Sequence, residues 1–173
     1  MPRLFMLLLF CLGTCHLQAQ GDPEFPREFI MHVKLHNGMV TDFNSTSPDP
    51  YVGGIQLVPQ YTLVVNKLRG GIIADMFYTG KKLQAAFGPT VSVKLKTMKA
   101  GPLGSAANIH FNFDYLFGTQ KQRLIGGGIN ADVLNWFVVG LSAYRDYNLN
   151  NWWFQNTLGI RISKIKKKKG HFD

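Results

Sequence analysis

The sequence predicts an all-β fold, specifically an eight-stranded antiparallel up-and-down (meander) β-barrel. Apolar and polar side chains alternate over long stretches, which is the two-residue period of a β-strand. Eight such stretches follow one another, joined by turn-forming connections, and none of them shows a convincing amphipathic helix. Eight consecutive hairpin-linked strands can close on themselves, and closure removes every exposed edge.

The clearest alternation lies in the fifth predicted strand, residues 108–117. One face carries Ile109, Phe111, Phe113, Tyr115 and Phe117. The other face carries Asn108, His110, Asn112 and Asp114, with Leu116 as the only break. Such a strand has an aromatic face and a polar face, and the aromatic face must contact either a protein core or lipid.

The first four strands are predicted at residues 28–36, 55–65, 71–79 and 83–97. Pro59 interrupts the second strand, and Gly80-Lys81 favours a tight turn before the fourth. Residues 37–54 are predicted to form a long loop, because Asn44, Ser45 and Pro48 are turn formers. The remaining strands are predicted at residues 108–117, 123–131, 136–147 and 152–162.

The two ends of the chain differ from the predicted barrel domain, residues 21–163. Arg3 followed by the apolar run 4–12 and a small residue, Ala19, is typical of a signal peptide cleaved near residue 20. Both cysteines, Cys11 and Cys15, lie inside this segment, so the mature chain is expected to contain no thiol. Lipid attachment at Cys15 is the weaker alternative, because Thr14 is a poor match before a lipidated cysteine. Residues 164–173 form a basic C-terminal tail.

The amino-acid composition indicates which surroundings the polar faces have and which partners the chain can bind. Charged residues make up 17% of the chain, below the roughly 25% of soluble domains, and glutamate occurs only at Glu24 and Glu28. Asn, Gln, Ser, Thr and His instead occupy the polar faces, which suits a confined lumen. The net charge of +9 is concentrated in the lysine run 164–169. We interpret this run as a solvated tail and expect no nucleic-acid partner, since an exported chain meets little nucleic acid.

Alternation alone permits two barrels, one with lipid outside and one with an apolar ligand inside. Aromatic placement favours lipid, because aromatics gather near both ends of the predicted strands, as in the girdles of membrane barrels. The girdle candidates are Phe29, Tyr78, Tyr115, Phe117, Phe137, Trp152 and Phe154. Predicted strands of about 9–11 residues or more are long enough to cross a bilayer at a tilt.

The opposite faces would form a polar network that fills the lumen. Its candidate members are His32, Lys34, His36, Asp75, Lys94, Lys96, His110, Asp114 and Arg161. Buried charges must be paired, and eight strands enclose just enough space for side chains, so we expect no open pore. Ser92, Ser142, His110 and Asp114 could form a hydrolytic set, but neither serine has a nucleophile motif around it. His32 and His36 are too far apart along a strand to share a metal ion, and we expect no cofactor.

The predicted signal peptide, eight amphipathic strands and aromatic girdles resemble the small eight-stranded outer-membrane β-barrel proteins of Gram-negative bacteria. The resemblance implies an outer-membrane location and contact with outer-membrane lipid. The chain departs from that family at its end. Members often finish on an aromatic residue, whereas here Ile162 ends the last predicted strand and the basic tail follows.

We therefore expect a monomeric, non-enzymatic outer-membrane barrel with a structural role or a role in surface and envelope contacts. The predicted loop 37–54 would present the contact surface for an envelope protein or surface partner. Two alternatives stay open. One is a soluble periplasmic lipocalin-like barrel that binds an apolar ligand, and the other is a lipid-modifying outer-membrane barrel enzyme.

Overall fold

The computed structural model describes residues 29–43, 49–99, 105–133 and 136–163. Eight strands form one closed barrel in sequential order, and every neighbouring pair is antiparallel, so the predicted meander barrel is confirmed. The strands are β1 (Phe29–Thr41), β2 (Tyr51–Val64), β3 (Leu68–Thr79), β4 (Lys82–Lys99), β5 (Ser105–Gly118), β6 (Arg123–Val133), β7 (Phe137–Asp146) and β8 (Asn151–Ser163). The predicted signal peptide, residues 1–20, and the basic tail, residues 164–173, lie outside the described residues.

The two ends of the barrel differ in the connections that they carry, and we call them the loop end and the terminal end. The loop end carries the connections 42–50, 80–81, 119–122 and 147–150. The terminal end carries the start of β1, the end of β8 and the connections 65–67, 100–104 and 134–136. The predicted turn at the loop end is confirmed, because Gly80 and Lys81 have φ of 56° and 62°, as a two-residue hairpin turn requires.

The predicted long loop 37–54 is wrong at both of its ends. Residues 37–41 continue β1 and residues 51–54 begin β2, with Asn37 opposite Gly53 and Gly38 opposite Val52. Asn and Gly favour turns only weakly when a neighbouring strand offers its backbone groups for a ladder. The connection is therefore residues 42–50, of which 44–48 lie outside the described part.

The register of the strands sets the shape of the barrel. Following directly opposed residues around the wall leads from Asn108 to Asp132, Val138, Gly159, Lys34, Gln56, Asp75, Ala86 and finally Gly118. The path returns to β5 ten residues further along, so the barrel has a stagger of ten residues. With a rise of about 3.3 Å per residue and strands about 4.8 Å apart, this stagger gives a strand tilt of about 40°.

A β-bulge in β4 changes which face its last residues occupy. Lys94 lies opposite His110, but Lys96 lies opposite Ile109, so Leu95 is an extra residue on β4. Lys94 is half-buried on the inner face and Lys96 is exposed on the outer face. The prediction that Lys96 faces the lumen is therefore wrong, because a single extra residue reverses the alternation beyond it.

The two faces of the wall have opposite character. In the described part of the chain, thirty-four large apolar side chains are more than a third exposed, most of them on outward-facing strand positions. The inner face buries polar and charged groups, together with a smaller set of apolar side chains. Among the described residues, no helix is long and apolar enough to cross a membrane.

Candidate functional site

A cluster of charged side chains fills the barrel interior near the terminal end, and Asp132 of β6 is its centre. Arg161 Nη1 donates a hydrogen bond to Asp132 Oδ2 over 2.9 Å, and Arg69 Nη1 lies 3.6 Å from the same oxygen. His32 Nε2 and His110 Nδ1 lie 3.6 and 4.0 Å from Oδ1. The two imidazole rings are stacked, with centroids 6.3 Å apart. Five strands therefore meet at one fully buried carboxylate.

Sequence reasoning missed Asp132 and Arg69 because it ended their strands too early. Asp132 was expected in a short turn, and Arg69 in the connection before β3. Both positions continue the alternation of their strands, since Asp132 follows Asn130 and Arg69 precedes Gly71 on the inner face. The signal was the unbroken two-residue period, and the turn-forming neighbours obscured it.

A second set of polar contacts occupies the middle of the interior. Lys34 Nζ donates to Asn130 Oδ1 over 3.3 Å and interacts electrostatically with Asp114 and Asp132. Asp114 accepts hydrogen bonds from Thr90 Oγ1 over 2.5 Å and from the Tyr144 hydroxyl over 3.0 Å. Buried carboxylates are tolerated when hydrogen bonds and opposite charges surround them, and both surround this one.

Small residues on the inner face make room for these long side chains. A Cβ added at Gly140 would stand 2.2 Å from Asn130 Oδ1 and 2.9 Å from Thr157 Oγ1. A Cβ at Gly159 would stand 3.0 Å from Lys34 Cγ. Large and small inward positions therefore complement one another across neighbouring strands.

A third polar group lies closer to the loop end. His36 Nε2 and Asp75 Oδ1 are 2.8 Å apart, and Gln56 Nε2 donates to Asp75 Oδ2 over 3.1 Å. His32 and His36 thus contact different aspartates, in two separate clusters. The side chain of His36 also packs against the edge of the Phe77 ring.

An apolar layer lies inside the barrel towards the loop end, next to buried polar residues of the rim such as Gln122 and Asp146. This layer corrects the expectation of a polar lumen along the whole barrel. Phe77 and Trp153 pack edge to face with ring centroids 5.3 Å apart, and both are almost fully buried. The apolar cluster comprises Val40, Val52, Val58, Ile73, Phe77, Ala86, Leu116, Leu124, Tyr144 and Trp153. Leu116 is the residue that breaks the polar face of the fifth predicted strand.

The residues that could have formed a hydrolytic set are each engaged by other side chains, and Ser142 contacts Tyr144. Ser92 Oγ accepts a hydrogen bond from Gln60 Nε2 over 2.7 Å, and His110 lies beside Asp132. Asp114 is engaged by Thr90 and Tyr144. Among the predicted lumen residues, His32, Lys34, His36, Asp75, His110, Asp114 and Arg161 are buried inside the barrel.

The girdle candidates all lie on the outer wall. Tyr78, Tyr115, Phe117, Trp152 and Phe154 lie towards the loop end of their strands, and Phe29 and Phe137 begin β1 and β7 at the terminal end. Additional aromatics extend both groups. Tyr61 pairs with Phe29 at the terminal end, Phe87 pairs with Phe117 towards the loop end, and Tyr51 begins β2 at the loop end.

The height of the apolar band follows from the strand tilt. At a tilt of about 40°, each residue advances about 2.5 Å along the barrel axis. The outward positions of β8 run from Trp152 to Ile162, ten residues apart. The band is therefore about 25 Å high, as in transmembrane barrels.

The chain was also compared with known proteins. No family model matches it, and no curated protein matches it. A solved chain described as "De novo design of transmembrane beta-barrels" is 11% identical, with a TM-score of 0.48. That match covers 82% of this chain and 98% of the designed one.

Proposed function

We propose that this chain is a non-enzymatic transmembrane β-barrel of the outer membrane of a Gram-negative bacterium, with a filled interior and a structural or contact role in the envelope. The observation that carries the proposal is the outward-facing apolar band. It encircles the closed barrel, is about 25 Å high by the strand tilt, and has aromatic side chains near both of its edges.

The extent of exposed apolar surface supports lipid rather than water as the surroundings of the barrel. Half-exposed side chains of this size contribute on the order of 80 Å² each. The thirty-four such side chains of the described residues together expose several-fold more area than the few hundred Å² of the largest apolar patch on a soluble monomer. Lipid is the solvent in which such a surface is favourable, and a closed barrel also leaves no unpaired strand edge in the bilayer.

The filled interior supports a structural role rather than conduction. Charged clusters occupy the terminal end and the middle of the lumen, and the Phe77–Trp153 pair occupies the loop end. The ligand-binding alternative requires the apolar face inside and the polar face outside. The barrel has the reverse arrangement.

The loop end provides the contact surface in this proposal. The connection 42–50 replaces the longer predicted loop as the site for an envelope or surface partner. Phe43 is 71% exposed there, and its ring packs against the edge of Phe154. An exposed aromatic beside a girdle residue offers apolar contact at the level where a partner would meet the membrane surface.

Cell fractionation followed by gel electrophoresis with and without boiling tests the location. We expect recovery in the detergent-resistant outer-membrane fraction and a folded band that changes mobility on boiling. Recovery as a soluble periplasmic protein would overturn the proposal and return the chain to the class of water-soluble barrels.

A pair of matched substitutions tests contact with lipid directly. Leu158 is 59% exposed on β8 near mid-height of the band, and Leu149 is 49% exposed in a loop-end connection. Leu158→Arg should lower the free energy of unfolding in lipid vesicles by about 2–4 kcal/mol, because it places a guanidinium near the bilayer midplane. Leu149→Arg should change it little. Equal effects, measured by urea titration, would contradict a lipid-facing wall at Leu158.

A further inference from the structure

Two asparagines interrupt the apolar band on the same patch of the outer wall. Asn37 of β1 and Asn156 of β8 are directly opposed in the register, and both are exposed. Asn156 is four residues from Trp152 and six from Ile162, so it lies about 10 Å below the loop-end girdle along the barrel axis. On the described strands, the other polar side chains that face outward lie nearer the barrel ends, at Lys96, Arg123 and Arg145.

Exposed amides at this depth are unfavourable in lipid. Each primary amide has two donors and two acceptor lone pairs, and hydrocarbon supplies no partner for any of them. A hydrogen bond between the two asparagines satisfies one donor and one acceptor and leaves the others exposed. The pair therefore leaves amide donors and acceptors for polar partners on a surface that packs against it.

The surroundings of the pair hold a further polar group on one side and a groove on the other. Gly53 is directly opposed to Asn37 on its other side, and the Tyr51 hydroxyl lies over it, 2.6 Å from where a Cβ would stand. Beyond Asn156, a shallow groove of about 500 Å³ extends past Phe154 to the directly opposed Gly127 and Ala143. A polar strip, bordered on one side by this groove, thus runs across the seam between β8 and β1.

We propose that this strip is the interface of a homodimer in the membrane, in place of the monomer expected from the sequence. The inference rests on the proposed membrane location. Two copies inserted in the same orientation are related by a two-fold axis parallel to the barrel axis. If that axis passes in front of the β8–β1 seam, Asn156 of each copy faces Asn37 of the other, at heights that differ by about 3 Å.

A second copy is the partner that the chemistry fits best. The carboxamide is its own complement, since the donors of one amide match the acceptors of another. The two-fold axis places the asparagine pair of one copy opposite the asparagine pair of the other. Membrane-embedded surfaces also associate through small and polar residues, because the burial of apolar surface contributes little free energy in lipid.

Energy transfer between labelled copies of the full chain in lipid vesicles tests the dimer. The matched variants are Asn37→Leu with Asn156→Leu, and Val91→Leu with Phe113→Leu, which changes a register pair on the opposite wall. Dilution with lipid gives the association constant, and the boiling-dependent gel shift reports barrel folding in each sample.

We expect the native chain and the Val91/Phe113 variant to dimerise. The double asparagine variant should fold, and its association constant should be roughly tenfold lower than that of the native chain. One hydrogen bond in a membrane contributes about 1–2 kcal/mol, which corresponds to a change of this size. A folded native chain that stays monomeric at every dilution would overturn the dimer and leave the membrane barrel intact. Undiminished association of the asparagine variant would also overturn it. Failure of the native chain to fold in vesicles would overturn the membrane barrel itself.

Discussion

Asp132 shows how the interior tolerates a buried charge. Its carboxylate lies within 4.0 Å of two arginines and two histidines, contributed by four other strands. Bringing these groups out of water is costly, and only mutual pairing offsets that cost. The carboxylate therefore couples strands that are not neighbours in the sheet, which backbone hydrogen bonds alone cannot do.

Replacing Asp132 by Asn tests this coupling with almost no change in shape. Two buried arginines would lose their carboxylate partner, so we expect a loss of about 3–5 kcal/mol in the free energy of unfolding. Asp49→Asn, at an exposed position in the connection 42–50, should change it by less than about 0.5 kcal/mol. Urea titration in lipid vesicles gives both values. Equal stability of the two variants would show that the cluster does not contribute to folding.

Individual lumen residues were predictable where alternation was uninterrupted. His110 and Asp114 lie in the middle of a clean two-residue period, so their inward direction followed from the sequence alone. Lys96 was placed on the wrong face because a bulge depends on the pairing of β4 with β5, which a single strand does not encode. The cross-barrel contacts of Asp132 required the stagger of the whole sheet, and that stagger is a property of closure.

At the scale of the elements, glycines control where the strands bend and approach each other. Three consecutive glycines, Gly126, Gly127 and Gly128, lie in β6. The atoms that their added Cβ atoms would meet first are the backbone oxygens of Ala143, Asn112 and Leu141, on β5 and β7. The run therefore allows close approach of neighbouring strands, and no tryptophan is among its nearest contacts.

A matched pair of glycine substitutions tests this role. A Cβ at Gly127 would stand 1.9 Å from the backbone oxygen of Asn112, so Gly127→Ala must shift a strand. A Cβ at Gly70 would meet only the end of the Leu63 side chain, which can rotate away. We expect Gly127→Ala to destabilise the folded barrel by about 1–3 kcal/mol and Gly70→Ala to have a much smaller effect. Similar urea midpoints for the two variants would contradict a backbone constraint at Gly127.

At the scale of the whole molecule, one alternation produces both surfaces of the barrel. The same period that directs Phe111 and Phe113 outward directs His110 and Asp114 inward, and closure converts these two faces into an apolar exterior and an interior packed with side chains. The number of strands and their order were predictable because the hairpins are local. Alternation alone did not decide which face points into the lumen, since that depends on the direction in which the sheet curves, and only the placement of the aromatics favoured the polar face.

The height of the apolar band makes a prediction that only a lipid-embedded barrel satisfies. A band of about 25 Å matches a thin bilayer better than the roughly 30 Å of a typical one, and each ångström of mismatch costs a fraction of a kcal/mol. The free energy of unfolding should therefore be highest in vesicles of twelve-carbon phosphatidylcholine and fall steadily as the acyl chains lengthen. Urea titrations monitored by the boiling-dependent gel shift measure this series. A barrel adsorbed to the vesicle surface would show no dependence on chain length, because its apolar band would never have to match the hydrocarbon core.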